Sequence, residues 1–593
     1  MHSISEPRRL AGSALAAGLI AGALGLTATQ ADASSAIGLK GKTLIVKGTG
    51  ASDRLALRLR AGDPSKLEVD VGDNGSADAT FARNKVKRIR VKAGRGNDQI
   101  RIDDANGAFT TAIPTRIDGE GGNDAIRGGT GAERLNGDAG DDTIDGNGGN
   151  DRADLGAGDD RFIWDPGDGS DTVEGRNGDD TLTFNGSATN ENFRLSPNGG
   201  RARLTRDVGN ITMDVDRIER VDVNSLGGND VLTVDNLAGT KVRAVDHDEA
   251  AVLGGTAPDA GNDQTIVNGR NIGDNVAVTG AGNAASVSGL AATVVTTHAD
   301  ATRDALVVNA LGGRDIIDAS ALGADTMKLT EDGGAGNDTL LGGRGADVLL
   351  GGDDDDTIDG NQGNDTALMG AGDDRFVWDP GDGSDIIEGQ DGADTMTFNG
   401  ANVAEAFDVS ANGGRVRFFR NVANITMDLN DVERIDLNAL GGADVLTVND
   451  LSGTDLIAVN GDLAGTIGGT TGDGASDQVI VKATAGDDVV ALSGSAGAAS
   501  VRGLAAVVDI AHADAAQDTL RVDALSGDDV VDGSGLAADA IGFQASGGDG
   551  ADILIGGAGP DTLRGEAGDD VLLGGPGLDV LDGGPGSNVV IQD

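Results

Sequence analysis

Apolar and polar residues alternate in short segments along most of the chain, and Gly, Asn and Asp separate the segments. From Gly119 to Thr183 the pattern becomes a nine-residue unit. Glycine dominates its first four places, an acid holds the sixth, and an apolar residue usually holds the eighth. Glycine adopts positive φ at little cost, so the first half predicts a tight turn. The second half predicts a very short strand whose eighth-place side chain points inward.

Two such units predict one full coil, and successive coils would stack. Acids nine residues apart then lie on opposite edges of the coil, and Asp124 lies over Asp142. The eighth-place residues are the only core available to such a coil. Burial stabilises by about 1.5–3 kcal/mol per side chain, whereas ordering costs about 1–2 kcal/mol per residue, so we expect the coils to need a bound ion.

An internal duplication with a period of 214 residues organises the rest of the chain. The segment Trp164–Asp171 recurs intact at Trp378–Asp385, and Asn210–Asp214 recurs at Asn424–Asp428. The nine-residue array itself returns from Gly333 and again from Gly547. The chain therefore contains three arrays.

Between the arrays lie two spacers, residues 186–332 and 400–546, and residues 34–118 look like a diverged copy of them. Alternation predicts short strands in the first spacer, and no segment shows a helical stripe. These strands are Val242–Val245, Gln264–Val267, Asn275–Val278 and Ala305–Val308. We predict an all-β chain forming one elongated β-solenoid, with arrays at 119–185, 333–399 and 547–593. A spacer folded as a compact β-sandwich is the alternative.

Residues 1–33 predict a secretory signal peptide. Arg8 and Arg9 precede an apolar run, Leu10–Leu26, and Ala31–Ala33 fits the small-x-small cleavage rule. An uncleaved membrane anchor is the alternative, but the run is short and rich in Gly and Ala. No later segment is apolar enough to predict a span in the mature chain. The adjacent arginines leave both the general and the twin-arginine export routes open.

The charge balance narrows the possible partners. The chain has 97 acidic against 45 basic residues and a net charge of −52, which disfavours nucleic acid and favours divalent cations. It has no Cys, which excludes disulfides and thiolate metal sites. Acidity with few aromatics is also typical of disorder, but the strict period argues against a disordered chain.

The sixth-place acids are the candidate metal ligands. Two carboxylates about 4 Å apart repel by roughly 4 kcal/mol at an effective dielectric near 20, so stacked acids need a cation. Carboxylate and carbonyl oxygens suit Ca²⁺. The candidates are Asp124, Glu133, Asp142, Asp151, Asp160, Asp171, Asp180, Asp338, Asp347, Asp356, Asp365, Asp374, Asp385, Asp394, Asp552, Asp561, Asp570 and Asp579.

The nine-residue unit resembles the G-G-x-G-x-D-x-U-x repeat of the RTX, or haemolysin-type, calcium-binding proteins. The resemblance implies a right-handed parallel β-roll with several calcium ions held between adjacent turns. The sixth-place acids would be ligands, helped by backbone carbonyls of the glycine turns. Three departures stand out: Glu133 replaces Asp, an eleven-residue step separates Asp160 from Asp171, and the neutral Asn588 ends the third array.

These observations predict a secreted calcium-binding structural protein whose arrays fold on binding Ca²⁺ outside the cytoplasm. The first alternative is a cell-surface adhesin or matrix protein whose spacers bind an extracellular polysaccharide or protein. The second is a polysaccharide-modifying enzyme. We expect no enzyme, because neither H-E-x-x-H nor G-x-S-x-G occurs and the duplicated His298 and His512 carry no catalytic motif.

Overall fold

The computed structural model describes residues 36–592, and the predicted signal peptide lies outside this range. The described chain is all-β, with three short 3₁₀ turns at Arg83–Lys85, Val208–Asn210 and Val422–Asn424 and no α-helix. The predicted fold class, a β-roll or β-solenoid with long parallel sheets, is confirmed.

The strands of the N-terminal half are β1 (Ile37–Lys40), β2 (Thr43–Lys47), β3 (Arg54–Arg60), β4 (Asp63–Val71), β5 (Ala79–Ala82), β6 (Arg88–Arg95), β7 (Gln99–Asp103), β8 (Thr115–Gly121), β9 (Ala125–Arg127), β10 (Arg134–Ala139), β11 (Thr143–Asp145), β12 (Arg152–Ala157), β13 (Arg161–Trp164), β14 (Thr172–Asn177), β15 (Thr181–Asn185), β16 (Asn192–Asn198), β17 (Arg201–Arg206), β18 (Ile211–Asp216), β19 (Arg220–Asn224), β20 (Val231–Val234), β21 (Ala244–Asp248), β22 (Gln264–Asn268), β23 (Asn275–Ala281), β24 (Ala284–Ser288), β25 (Thr293–Thr297), β26 (Ala305–Asn309) and β27 (Ile316–Leu322). The remaining strands are β28 (Lys328–Ala335), β29 (Thr339–Leu341), β30 (Val348–Asp353), β31 (Thr357–Asp359), β32 (Thr366–Ala371), β33 (Arg375–Trp378), β34 (Ile386–Asp391), β35 (Thr395–Asn399), β36 (Ala406–Asn412), β37 (Arg415–Arg420), β38 (Ile425–Asn430), β39 (Arg434–Asn438), β40 (Val445–Val448), β41 (Ala458–Asp462), β42 (Gln478–Lys482), β43 (Val489–Ser495), β44 (Ala498–Arg502), β45 (Val507–Ala511), β46 (Thr519–Asp523), β47 (Val530–Leu536), β48 (Gly542–Asp549), β49 (Ile553–Ile555), β50 (Asp561–Ala567), β51 (Val571–Leu573), β52 (Val580–Asp582) and β53 (Val589–Ile591).

The chain alternates between two sheets that run through the described residues without a break. Sheet 1 contains β8, β10, β12 and β14, and sheet 2 contains β9, β11, β13 and β15. Within the arrays neighbouring strands are parallel and pair in steps of eighteen, as Arg116, Arg134 and Arg152 show. Each coil therefore uses two nine-residue units, as the period predicts.

The spacers belong to the same two sheets, but three-stranded meanders interrupt their parallel ladders. In sheet 1 the pairing order is β14-β18-β17-β16-β20, so the chain advances, turns back twice and then continues. In sheet 2 the order is β21-β25-β24-β23-β27. The second spacer repeats both meanders. The spacers are thus stretches of solenoid, and the compact sandwich is not observed.

One continuous core lies between the sheets, because inward positions alternate with outward ones along nearly every strand. The predicted eighth-place residues are buried in it, except Leu581, which is partly buried. Where the first array meets its spacer, Trp164 stacks on Phe184 with 4.1 Å between ring centroids, and Trp378 repeats this contact on Phe398.

The strands predicted in the first spacer are found, with one displacement. The segment predicted at Val242–Val245 is β21, which begins at Ala244, because Val242 closes a turn by donating its N–H to Thr240 Oγ1. Strands β8, β28 and β48 cross the sequence boundaries at 118, 332 and 546, so the sheets continue from module to module. No helix in the described range is long and apolar enough to cross a membrane.

Candidate calcium-binding ladders

The sixth-place acids lie on two edges of the solenoid, each directly before or at the start of a strand. Asp124 and Asp142 precede β9 and β11 of sheet 2, and we call this side edge 1. Glu133 and Asp151 precede β10 and β12 of sheet 1, and we call this side edge 2. Acids nine residues apart therefore alternate between edges, as the sequence predicts.

Hydrogen bonds link the acids of one edge into a ladder. The backbone N–H of Asp124 donates to Asp142 Oδ1 at 2.7 Å, and that of Asp142 donates to Asp160 Oδ1 at 2.7 Å. On edge 2 the N–H of Asp151 donates to Asp171 Oδ1 at 2.7 Å. Asp142, Asp160 and Asp171 thus each use one oxygen to fix the coil before them, and the second oxygen is left for another partner.

That second oxygen is buried and has no hydrogen-bond partner in most of the predicted acids. These are Asp124, Glu133, Asp142, Asp151, Asp160, Asp171, Asp180, Asp338, Asp356, Asp365, Asp374, Asp385, Asp394, Asp552 and Asp570. The three exceptions have partners: Asp347 and Asp561 accept backbone N–H groups of Gly343 and Gly557, and Asp579 accepts from Gln592. A buried carboxylate oxygen without a partner is costly, so the ladders require a ligand that accepts lone pairs.

A first-place glycine, present in most units, leaves room for that ligand. A Cβ at Gly137 would lie 2.2 Å from Asp142 Oδ2 and 2.3 Å from the carbonyl oxygen of Leu155 in the next coil. At Gly119 the same position lies 2.4 Å from Asp124 Oδ2 and 2.7 Å from the Gly137 carbonyl. Carboxylate and carbonyl oxygens therefore converge where only glycine fits.

Burial and neighbouring acids raise the pKa values of these carboxyl groups. Desolvation raises the pKa of Asp142 to about 7, opposed by the hydrogen bond from Asp124 and reinforced by the charges of Asp160 and Asp124. Desolvation likewise raises the pKa of Asp151 to about 9 and of Asp365 to about 8. When these carboxyl groups are ionised, they carry negative charge, and within the described chain no positively charged group contacts them to balance it.

This donor set fits calcium. Ca²⁺ prefers carboxylate and carbonyl oxygens at about 2.3–2.6 Å, and it tolerates irregular geometry. The unpartnered Asp oxygens, with the carbonyls opposite the first-place glycines, are donors of this type. When bound, the ion would supply the positive charge that the ladder lacks.

The eleven-residue step does not interrupt the ladder. Asp171 accepts the N–H of Asp151, so it occupies the ladder place twenty residues on. The two extra residues form a turn in which Asp168 Oδ2 accepts the N–H of Asp165 and Gly169 accepts from Trp164 Nε1. Asp171 therefore lies in the ladder, as predicted for a sixth-place acid, and Asp168 closes the turn.

Segments of both ladders recur in the spacers, which sequence periodicity did not reveal. Asp230 donates its N–H to Asp263 Oδ1, and Asp263 to Asp304 Oδ1, although 33 and 41 residues separate these pairs. Buried carboxylates outside the arrays also have an unpartnered ladder oxygen: Asp98, Asp230, Asp263, Asp315, Asp444, Asp477 and Asp529. Most of them end a Gly-x-Asp tripeptide before an alternating strand, which was the available signal.

Where a meander interrupts a ladder, an arginine of the meander supplies positive charge next to the ladder acid. Glu191 holds a ladder place, because its N–H donates to Asp230 Oδ1, and its carboxylate pairs with buried Arg206 on β17. Arg420 pairs with Glu405 in the second copy. Buried charge on the ladders is thus tolerated when the chain itself supplies the counter-charge.

We predict that Asp142→Asn removes calcium binding at one ladder place while preserving the coil. Asn588 accepts the N–H of Asp570 at 2.8 Å, which shows that an amide oxygen keeps the structural bond. Affinity at the altered place should fall by at least the roughly 10–100-fold that losing an outer partner costs a metal site. Calorimetric titration with Ca²⁺ measures this, and Asp141→Asn, on an exposed neighbour, is the control.

We predict that the calcium-free protein loses stability as pH rises from about 4 to about 7. The folded pKa values near 6 of Asp124 and near 7 of Asp142 exceed the ordinary value of 3.8, so the folded state binds more protons in this window. Their stabilising contribution is complete below the unfolded pKa and disappears through the folded pKa. Thermal unfolding in chelator across this range tests it, and a rising melting temperature would contradict it.

A protein-family model described as RTX calcium-binding nonapeptide repeat (4 copies) matches the chain at each array. The matched residues are 116–132, 127–162, 166–186, 332–367, 381–402, 546–581 and 555–590. Comparison with curated proteins gives no significant match. The matched ranges contain every predicted ladder acid except Asp374, which lies between two of them.

Proposed function

Because the chain carries three arrays of RTX calcium-binding nonapeptide repeats, we propose that it is an exported structural protein whose solenoid is completed by calcium outside the cytoplasm. The observation that carries this proposal is the pair of ladders, in which most acids have a buried carboxylate oxygen without a hydrogen-bond partner among residues 36–592. Extracellular modules bind calcium with dissociation constants of about 10⁻⁴–10⁻³ M. Folding would therefore follow export, because binding free energy becomes folding free energy.

The proposal assigns a structural role and no catalytic step. The buried acids are mostly ladder members that repeat along the solenoid, as expected for a scaffold. His298 and His512 each place Nδ1 2.7 Å from an Asp Oδ1, the same contact in both copies, which suits a repeated structural pair.

Export is tested by fusing residues 1–40 to a reporter enzyme. We expect to find the reporter outside the cytoplasm, with the fusion protein cleaved after Ala33. Replacing Arg8 and Arg9 by Lys separates the routes, because only twin-arginine export requires both arginines. A reporter that stays in the cytoplasm at full length would contradict the proposal, whatever the calcium affinity of the arrays.

A second candidate function, an adhesin or matrix protein, is favoured by one basic cleft on this acidic molecule. The cleft has a volume of about 590 Å³, and its basic lining residues are Arg176, Arg217, Lys241 and Arg243. Within the described chain, Arg217 and Lys241 form no ion pair, whereas Arg176 pairs with Asp154 and Arg243 with Asp179. The duplicated positions are Gln390, Asp431, Asp455 and Ile457, so the second spacer lacks this charge.

We propose an acidic polysaccharide as the occupant under this second function, because carboxylate or sulfate groups match the arginines. Binding to a uronate polymer is measured in calcium with the mature chain. The double variant Arg217→Asp with Lys241→Asp introduces the residues of the second copy and should abolish binding. Unchanged binding by the variant, or none by the native chain, would exclude this function.

A further inference from the structure

One buried acid of the first spacer belongs to neither ladder. Glu249 follows β21, is 0% exposed, and has no hydrogen-bond partner on either carboxylate oxygen. Its backbone is held in place, since its N–H donates to the Thr297 carbonyl and its carbonyl accepts from Asp259. The side chain is therefore fixed inside the molecule with two unused oxygens.

Glu249 lies against the edge 2 ladder. Glu249, Asp263 and Asp304 each offer one oxygen within 4.8 Å of the others, and all three are buried. Asp263 Oδ2 is itself unpartnered, and Asp263 also groups with Asp230 and Asp259. Two oxygens that bind one Ca²⁺ at about 2.4 Å lie at most about 4.8 Å apart, so this spacing fits a shared ion.

Within residues 36–592, no Arg or Lys side chain forms an ion pair with this cluster. His247 lies beside it, with Nδ1 3.3 Å from Glu249 Oε1. The same Nδ1 lies 2.8 Å from Thr265 Oγ1. Arg303 pairs instead with Asp300 at the surface.

The second spacer shows that the repeat folds without this acid. Leu463 occupies the position of Glu249, and the acids Asp473, Asp477 and Asp518 are retained around it. Apolar residues or glycine also replace the neighbouring polar core: His247, Thr265 and Thr296 become Gly461, Val479 and Ile510. Three-carboxylate clusters of this geometry occur, within residues 36–592, only in the first spacer.

We propose that Glu249, Asp263 and Asp304 form a calcium site inside the first spacer, outside the nonapeptide arrays. The donor set is entirely oxygen and carries three carboxylates, which selects a hard divalent cation of the size of Ca²⁺. Asp259 and Asp230 lie next to the site, because both form a close group with its member Asp263. The site makes the two spacers unequal, because the first is closed by an ion and the second by a leucine.

Hydrogen exchange measured by mass spectrometry tests the site on the full mature chain, in Ca²⁺ and in chelator. Where opening releases the ion, bound calcium slows exchange by about the factor 1 + [Ca²⁺]/Kd, or roughly 100-fold at 100 times Kd. We expect this slowing in β21 and β22. The variant Glu249→Leu should lose it and bind one ion fewer by native mass spectrometry, while the arrays keep their slowing.

The matched control is Glu331→Ala, which removes another fully buried, unpartnered acid and introduces the residue of its duplicated position, Ala545. It should leave the calcium effect in β21 and β22 intact. If Glu249→Leu exchanges faster than the native chain already in chelator, the variant Glu249→Gln is measured as well, because it keeps the side-chain shape and removes only the charge. Undiminished slowing of exchange and an unchanged number of bound ions in the Glu249 variants would overturn the site. Exchange in peptides from the arrays tests calcium binding by the repeats separately.

Discussion

Removing calcium at pH 8 is expected to abolish most of the β-structure of the mature chain. Most ladder carboxyl groups have pKa values near 6 to 7 in the fold, such as those of Asp124 and Asp142, so most of each ladder is ionised at this pH. Like charges about 4 Å apart repel by roughly 4 kcal/mol at an effective dielectric near 20. The eighth-place side chains contribute only about 1.5–3 kcal/mol each.

Far-UV circular dichroism during a calcium titration measures this effect. The β signal should return cooperatively with Ca²⁺ and not with Mg²⁺, which demands six ligands in near-ideal octahedral geometry. Repeating the chelation at pH 5 is the internal control, because protonated ladders repel less and more structure should persist. A spectrum unchanged by chelation at pH 8 would mean that the core alone holds the solenoid.

The arrays were predictable because one local rule generates them. Nine residues form one turn and one strand, and eighteen residues form one coil. The stacking of Asp142 on Asp160 follows from this count, without knowledge of distant contacts. The same rule predicted which side chains are buried, since the eighth place faces inward except in the last two units, where Leu581 is partly buried and Val590 is exposed. Local periodicity thus sufficed where each coil contacts only its neighbours.

The spacers were less predictable because their pairings are not periodic. Gln264 pairs with Ala305, and Ala244 with Thr293, across meanders that no nine-residue count anticipates. The ladder acids within them, such as Asp98, Asp315 and Asp529, were missed for the same reason. Glu249 gave no signal at all, since it follows no repeat and only the fold brings it to Asp263.

Replacing the first-place glycine of a central coil, Gly137→Ala, is expected to remove calcium from one ladder place and to destabilise the coil. The added Cβ would lie 2.2 Å from Asp142 Oδ2 and 2.3 Å from the Leu155 carbonyl oxygen. The carboxylate can rotate away, but the carbonyl belongs to the backbone of the next coil. Overpacking of this kind costs about 1–3 kcal/mol, and the displaced oxygens no longer converge on an ion.

Thermal unfolding in calcium, together with the number of ions bound, measures both consequences. Gly200→Ala is the matched control, because Gly200 is exposed in the β16–β17 turn and a Cβ there meets nothing within 4 Å. The control should be neutral or stabilise by about 0.4–1 kcal/mol through the unfolded chain. Equal stability and equal ion counts in the two variants would show that the space beside Gly137 does not serve the ladder. If only Gly137→Ala loses stability and a bound ion, the nonapeptide needs glycine to make room for the ion as well as to form the turn.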